Sequence, residues 1–231
     1  MANYSETANA NRIDADYFQP HYKELLIKLD AYLTKPLSQI VDYDKGIEVG
    51  SSAYETGGIP FIRVSDISEN GFEKTEKHIS KELYDELKDS FSPKKGEVLF
   101  TKDGTIGRSF VVQKDEEAIL SGAFLKLRIK PDANVKPDYL ALVLNSMICK
   151  LQIERLSGGA IIAHLRPDDA MAMTIPILGE DVQSVICQMI EESRTQRAES
   201  KRLLDVAKRA VEIAIEQDED IAFQFIEKET S

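Results

Sequence analysis

From Asp181 to Asp218 the chain contains neither glycine nor proline. Nothing in that stretch breaks a helix, and a helix of that length runs roughly 57 Å at 1.5 Å per residue. Residues seven apart form the series Val182, Met189, Gln196, Leu203 and Ala210. Four residues after each lie Ile186, Ser193, Ser200, Ala207 and Ala214. The stripe is apolar at both ends and polar in the middle, at Ser193, Gln196 and Ser200. A single helix cannot bury a one-sided seam by itself, so the spacing predicts a partner helix. Small residues along the seam permit close approach, and the polar middle can fix register at some cost in stability. The sequence "EQDED" then ends the regular part. The tail "IAFQFIEKETS" is apolar enough at Ile221, Phe223 and Ile226 to dock.

Ahead of that rod the pattern is different. Residues 1–12 are polar and expected to be loose. "YKELLIKLDAYL" (22–33) spaces Leu25, Leu26, Leu29 and Leu33 as a helix, which Pro36 cannot extend. From about Leu37 to Lys130 strands and turns dominate. "GGIPFIRVSDI" (57–67) is a glycine-bounded strand, and "SKELYDELKDS" (80–90) a short helix capped by Ser80. In "SGAFLKLRIK" (121–130), Ala123, Leu125, Leu127 and Ile129 face one way, while Phe124, Lys126, Arg128 and Lys130 face the other. That is a half-buried strand with a cationic outer face. "KPDYLALVLNSMICKLQIERLSGG" (136–159) reads as one helix closed by Gly158 and Gly159. "AIIAHL" (160–165) is a strand candidate, "RPDDAMAM" a turn or brief helix, and "TIPIL" (174–178) extended.

Catalytic and metal-binding patterns are scarce. His21, His78 and His164 have no His or Cys neighbour at ligand spacing, and Cys149 and Cys187 form no C-x-x-C. There is no phosphate-binding G-x-x-x-x-G-K-[ST] and no G-x-S-x-G elbow. Asp66 with Glu86-Leu87-Lys88 imitates the D…E-x-K of metal-dependent nucleases. Glu86 and Lys88 fall in a helix-like segment, however, where a solvated face explains them. The N-terminal stretch has no apolar core of a signal peptide, and no run approaches the roughly 20 apolar residues of a membrane span. A cytoplasmic protein with reduced thiols is expected.

The formal charge is −11. Taken alone, that opposes contact with nucleic acid. Residues 121–180, with 7 cations against 6 acids, are nevertheless close to neutral. What matters is the field at the site. One corner draws attention: "GEVLFTKDGTIGRSFVV" (96–112) is strand, tight turn at Asp103-Gly104, second glycine at Gly107, strand. Glycines let a backbone approach a ligand closely. Thr101, Lys102, Thr105, Arg108 and Ser109 surround the turn and can meet phosphates or base edges. A well-formed hairpin corner facing water accounts for the same residues equally well.

"GIPFIRVSDI" (58–67), "KKGEVLFTKDGTIGRSFVV" (94–112), "SGAFLKLRIKPD" (121–132), "DYLALVLNS" (138–146), "GGAIIAHLRPDDAMAMTIPIL" (158–178) and the following helix resemble type I restriction–modification specificity subunits. They match the target recognition domain in order and spacing from about residue 12 to 215. Gly104-Thr-Ile-Gly107 after Gly96-Glu97-Val98-Leu99 is the most specific part, and the "IPIL…Gln183" junction the next. The resemblance implies a subunit that is not an enzyme. It reads duplex DNA and gathers a DNA adenine methyltransferase subunit, with a restriction/translocase subunit as a further partner. No cofactor is implied for this chain; S-adenosylmethionine, ATP and Mg²⁺ would belong to the partners. Family members usually carry two recognition domains and two antiparallel helices. One domain and one helix here read as a half-length form, which would pair as a homodimer or with another half. The junction "PILGEDVQ" departs from the family by placing Gly-Glu-Asp-Val where a short acidic step usually precedes the glutamine.

The expected fold is α+β: a mixed, β-rich target recognition domain over 1–178 with flanking helices, one long coiled-coil-forming helix over 179–218, and a tail over 219–231. Candidate DNA contacts are Arg63, Thr101, Lys102, Thr105, Arg108 and Ser109, with Lys94 and Lys95 on phosphates and His164 and Arg166 nearby. Candidate dimerisation residues are Val182, Ile186, Met189, Ser193, Gln196, Ser200, Leu203, Ala207 and Ala210. A β-rich dimeric interaction module without DNA specificity, or a nuclease or methyltransferase in its own right, stays open on the residues alone. No N-P-P-[YF] methylation motif supports the latter.

Overall fold

The computed structural model describes Thr7, Ile13 and residues 15–68, 70–157 and 164–230. The Gly158-Gly159 turn, residues 160–163 of the expected strand and most of residues 1–12 lie outside them. The chain divides into two compact units, Met1–Ser184 and Val185–Ser231.

In the first unit, helix α1 (Pro20–Leu29) starts on a proline, whose missing N–H costs nothing at a first turn. It stops short of the expected residue 33. Tyr32 N bonds Leu29 O in a tight turn, and the next residues are recruited as strand β1 (Thr34–Pro36). A one-turn helix α2 (Leu37–Ile40) leads into β2 (Val41–Lys45). Strand β3 (Ile59–Ile62) gives way to a 3₁₀ turn at Val64–Asp66 and the small hairpin of β4 (Ile67–Ser68) and β5 (Gly71–Phe72). After β6 (His78–Ile79), helix α3 (Lys81–Phe91) begins where Ser80 Oγ accepts from Leu83 N at 3.2 Å. That is the cap expected from the sequence.

Strands β7 (Val98–Thr101), β8 (Ser109–Val111), β9 (Ile119–Leu120) and β10 (Phe124–Ile129) complete the framework. Four strands make an antiparallel sheet in the order β2-β10-β7-β8; β3, with β6 and parallel β9 on its two sides, makes a second. Leu125 lies opposite Lys45 on one side and Phe100 on the other. Ile62, Ile67, Leu99, Phe110, Leu120 and Phe124 form one buried cluster. Phe61, Ile79 and Ile119 form another, against which Leu83, Leu87 and Phe91 of α3 pack. Each such side chain contributes about 1.5–3 kcal/mol on burial.

The cationic outer face expected for β10 is not there at Lys126, which is 3% exposed. The end of α3 covers it. Lys126 Nζ donates to Ser90 O at 2.6 Å and Ser92 O at 3.5 Å, and lies 4.0 Å from Glu97 Oε1. A lysine thus terminates the helix by satisfying carbonyls that have no partner within it. Burial lowers its pKa, partly opposed by Glu97 and Asp44.

The single helix expected over 136–159 is two, α4 (Pro137–Asn145) and α5 (Met147–Ser157). Ser146 leaves helical geometry at ψ 165° and its hydroxyl donates to Val143 O at 2.6 Å. The break frees Asn145 to act as a strand mimic. Its Oδ1 accepts from Ser109 N (2.9 Å) and its Nδ2 donates to Ser109 O (2.6 Å), which covers the outer edge of β8. Helix α6 (Pro167–Met171) follows, then β11 (Thr174–Pro176), antiparallel to β1. Cys149 is buried, which pushes its thiol up to about 12, whereas Cys187 on the long helix is only partly buried.

The long helix α7 spans Glu180–Glu216. Its first turn is pinned by Gln183, 2% exposed, whose carboxamide accepts from Lys136 N and donates to Asn134 O and Leu178 O. Every polar atom of that buried side chain is used, which explains why the junction residue is a glutamine. In the second unit, Asp218 caps a further helix α8 (Glu219–Thr230) through Ile221 N at 2.8 Å. Arg202 Nη1 donates to Glu229 O at 2.6 Å, so α8 runs back along α7. The tail does fold, but on Ala222 with half-buried Phe225 and Ile226; Ile221 and Phe223 point to solvent.

Candidate nucleic-acid interface

Residues 102–108 join β7 to β8. Gly104 (φ 67°) and Gly107 (φ 85°) hold the left-handed conformations that glycine adopts without steric cost. A β-carbon at 107 would also come 2.9 Å from Ile153 Cδ1. Thr101 is the clasp of the corner. Its Oγ1 donates to Thr105 O at 2.5 Å and accepts from Arg108 N at 2.9 Å, while Gly107 N bonds its carbonyl. Thr101 is fully buried and Ser109 nearly so, with Ser109 Oγ donating to Leu99 O at 2.8 Å. Both hydroxyls are therefore committed to the protein. They leave the set of side chains available to DNA, and serve to fix the shape of the loop.

Lys102 is also a correction. It is buried, with Nζ paired to Asp103 Oδ2. Its backbone is clamped from two sides, N to Ala123 O (2.8 Å) and O from Leu165 N (2.7 Å). The second clamp brings residues 164–166 to the corner. His164 Nδ1 contacts Asp103 Oδ1, and Arg166 forks onto Asp169 at 2.7 and 2.9 Å. Both remain well exposed.

Arg63, just after β3, and Arg108, just before β8, hold the two ends of the turn Val64–Asp66, Arg63 at its start and Arg108 through Ile67 just past its end. Arg63 pairs with Asp66, whose carboxylate also accepts from Arg63 N, Ser65 Oγ and Thr75 Oγ1. Burial would raise the Asp66 pKa, but these hydrogen bonds outweigh it and hold the group below its ordinary 3.8. Arg108 Nη1 donates to Ile67 O at 2.8 Å. A carbonyl fixes the guanidinium without cancelling its charge, whereas Arg63, Lys102 and Arg166 each face a carboxylate. Thr105 is exposed at the tip. Glu48, Tyr54, Arg63, Ser65, Asp103, Gly104 and Ser121 are among the residues lining a cleft of about 330 Å³ beside the corner.

Lys94 and Lys95 are exposed but stand at the other end of β7, a four-residue strand of about 13 Å. The structure does not bring them to the corner. Asp66 and Glu86 do not form a carboxylate pair either: Asp66 is tied to Arg63, and Glu86 is exposed on α3. Among the described residues no group of three or more His, Cys, Asp or Glu could hold a metal. Asn145, Glu48 and Ser121 carry no signal in the sequence that marks them, since each acquires its place through contacts far along the chain.

The family model for the type I restriction modification DNA specificity domain matches residues 32–196. The chain belongs to that family. The matched residues are its DNA specificity domain. The S subunit of a type I restriction-modification system from M. genitalium is similar in fold (16% identity, TM-score 0.51, covering 80% of this chain and 43% of that one). So is a solved chain from a study of assembly and conformational transition of the type I R-M system (15%, 0.53, 97% and 55%). The type IIG restriction endonuclease BpuSI shares the fold too (11%, 0.54, 83% and 30%). This specificity chain spans about half the length of the two type I chains. No curated protein matches it. No helix among the described residues is long and apolar enough to cross a membrane.

Proposed function

We propose that this chain reads one part of a split duplex target for a type I restriction–modification complex. The single observation that carries the reading is the corner itself. It is a glycine-shaped loop with Thr105 at its tip and an uncancelled Arg108 at its base, and Arg63, His164 and Arg166 line the same edge. Thr105, Arg63 and Arg108 are the base-side candidates. His164 and Arg166 sit at the rim, with Lys94 and Lys95 as separate phosphate contacts.

The surface of the long helix supports pairing. Val182, Met189 and Leu203 are exposed on α7, with Ile186 half-buried. Ser193, Gln196, Ser200 and Ala207 are exposed between and beyond them. Ala210 is buried, so the seam for a second helix runs from Val182 to Ala207. An antiparallel mate, either a second copy or another specificity half, would place two readers on separated half-sites with two-fold symmetry. A methyltransferase subunit brings S-adenosylmethionine to that assembly; a restriction subunit would bring ATP and Mg²⁺ chemistry. The cytoplasm is the compartment such a complex requires.

Methylome sequencing of cells expressing the methyltransferase subunit with and without this chain tests the reading. A split, palindromic adenine-methylated motif should appear only with the chain. An unchanged methylome, with no shift of any duplex by the reconstituted complex, would refute it. Met189→Glu with Leu203→Glu, which sets like charges against each other across an antiparallel seam, should shift sedimentation of the isolated chain from dimer to monomer.

A further inference from the structure

The exposed side chains of α7 do not keep a seven-residue period to the end of the helix. Ala210 and Ile213 are buried and Val206 and Ala214 half-buried, where α8 runs back along α7. Leu204, Val211 and Ile215 are exposed instead, as are Val182, Val185 and Met189 near the start. Those side chains fall on an 11-residue repeat. Val182, Ser193, Leu204 and Ile215 form one row, Val185, Gln196 and Ala207 a second, and Met189, Ser200 and Val211 a third. Every member of the three rows is exposed, and Leu203 lies beside them. An 11-residue repeat is close to a whole number of helical turns, so the rows make one continuous face that winds slowly and in the opposite sense to a seven-residue one.

That face is its own complement when reversed. Laid antiparallel about a point near Ala198, Val182 meets Ile215, Val185 meets Val211, Met189 meets Ala207, Ser193 meets Leu204 and Gln196 meets Ser200. In each pair the two residue numbers add to 396 or 397. Apolar layers fall on apolar layers toward both ends, a large side chain on a small one at Met189 and Ala207, and the polar residues gather at the axis. Residue 198 is also the midpoint of Glu180–Glu216, so this register pairs α7 over its full length. A seam ending at Ala207 centres near Arg194 instead. It would set Met189 against Ser200 and leave Val211 and Ile215 in water.

We infer that α7 pairs with a second copy of this chain, antiparallel, through the 11-residue face, with the two-fold axis beside Ala198. The inference rests on the pairing proposed above and narrows it from any specificity half to an identical one, because a face that matches its own reversal is what an isologous interface requires. The two helices wind about each other with a right-handed twist. Gln196 and Ser200 at the axis supply the polar contacts that hold the register. From Val182 to Ile215 the paired length is about 50 Å at 1.5 Å per residue.

Disulfide trapping tests the register in the full chain carrying Cys187→Ser; the remaining Cys149 is buried. Val185→Cys with Val211→Cys should give a covalent dimer on mild oxidation, and neither single variant should. Val182→Cys with Ala207→Cys should stay uncrosslinked, whereas the shorter seam calls for the reverse. Val211→Glu should weaken self-association about 10-fold or more in sedimentation, because it places a charge in an apolar layer, with the circular dichroism of the dilute chain unchanged. If the Val185/Val211 pair does not trap, or the wild type stays monomeric at its highest soluble concentration, the inference is overturned. The methylome comparison then decides the DNA-reading function by itself. A dimer trapped at Val185/Val211 with an unchanged methylome would uphold the pairing and refute the reading.

Discussion

The two ends of the β7–β8 hairpin look alike in sequence and differ in the protein. Each has a glycine in a left-handed conformation, Gly96 at one end and Gly104 at the other, and each has basic residues beside it. At the Gly96 end the acid Glu97 is buried and fully engaged. It accepts from Lys94 N at 2.9 Å and lies 3.6 Å from Arg128 and 4.0 Å from Lys126. The two lysines there keep their side chains in water. At the Gly104 end the backbone is clasped by a buried threonine, and a guanidinium is fixed by a carbonyl. One end uses polarity to hold the fold. The other uses the fold to hold polarity at the surface.

If the Gly96 end is structural, the largest effect on stability lies there. Lys126→Ala removes one partner of a buried ion pair and the cap of α3. The expected loss is about 3–5 kcal/mol by chemical denaturation, with the recognised DNA sequence unchanged in whatever fraction stays folded. A shifted sequence preference would break the division between the two ends.

Thr101→Val comes next. It leaves Thr105 O and Arg108 N without their side-chain partner in a buried site, at about 1–3 kcal/mol per unsatisfied group. Unlike Lys126→Ala, it should also blur sequence selectivity in a bind-and-select experiment, because it loosens the corner and not the sheet.

Arg108→Ala should weaken binding of the assembled complex about 10-fold and lower its salt slope by about one. Lys94→Ala and Lys95→Ala should cost less, about 2-fold each, since exposed flexible lysines contribute little beyond screened attraction. Equal losses at both ends would show that charge count, rather than tethering, governs the grip.

These contrasts mark where sequence reading succeeds. The long helix is legible because nothing breaks it, and the corner because Gly104 and Gly107 need conformations other residues avoid. Ser80 is legible as a cap because capping is local. The fate of a cation is not local. Lys126 reads as outward-facing by strand alternation, yet α3, some 40 residues earlier, covers that face. Thr101 and Ser109 look like ligands because hydroxyls next to a turn can point either way; the ladder of β7 and β8 turns both inward. Asn145 is one polar residue in an apolar helix until β8 offers it an edge to cover.

The smallest effect separates charge from shape at the corner's neighbour. Asp66 is held below its ordinary pKa by the hydrogen bonds of Arg63, Ser65 and Thr75, which outweigh its burial. A carboxyl whose pKa is lower folded than unfolded adds stability that is complete above the unfolded value. That stability is lost as pH falls through the folded one. The window therefore opens below about pH 4 and has nothing to do with physiological pH. Urea denaturation of wild type and Asp66→Asn between pH 3 and 6 should show a constant gap above pH 5 that narrows below pH 4. A gap independent of pH would mean that the turn Val64–Asp66 is held by hydrogen-bond geometry and not by the charge. In that case the acid beside the reading edge could be neutralised without loosening Arg63.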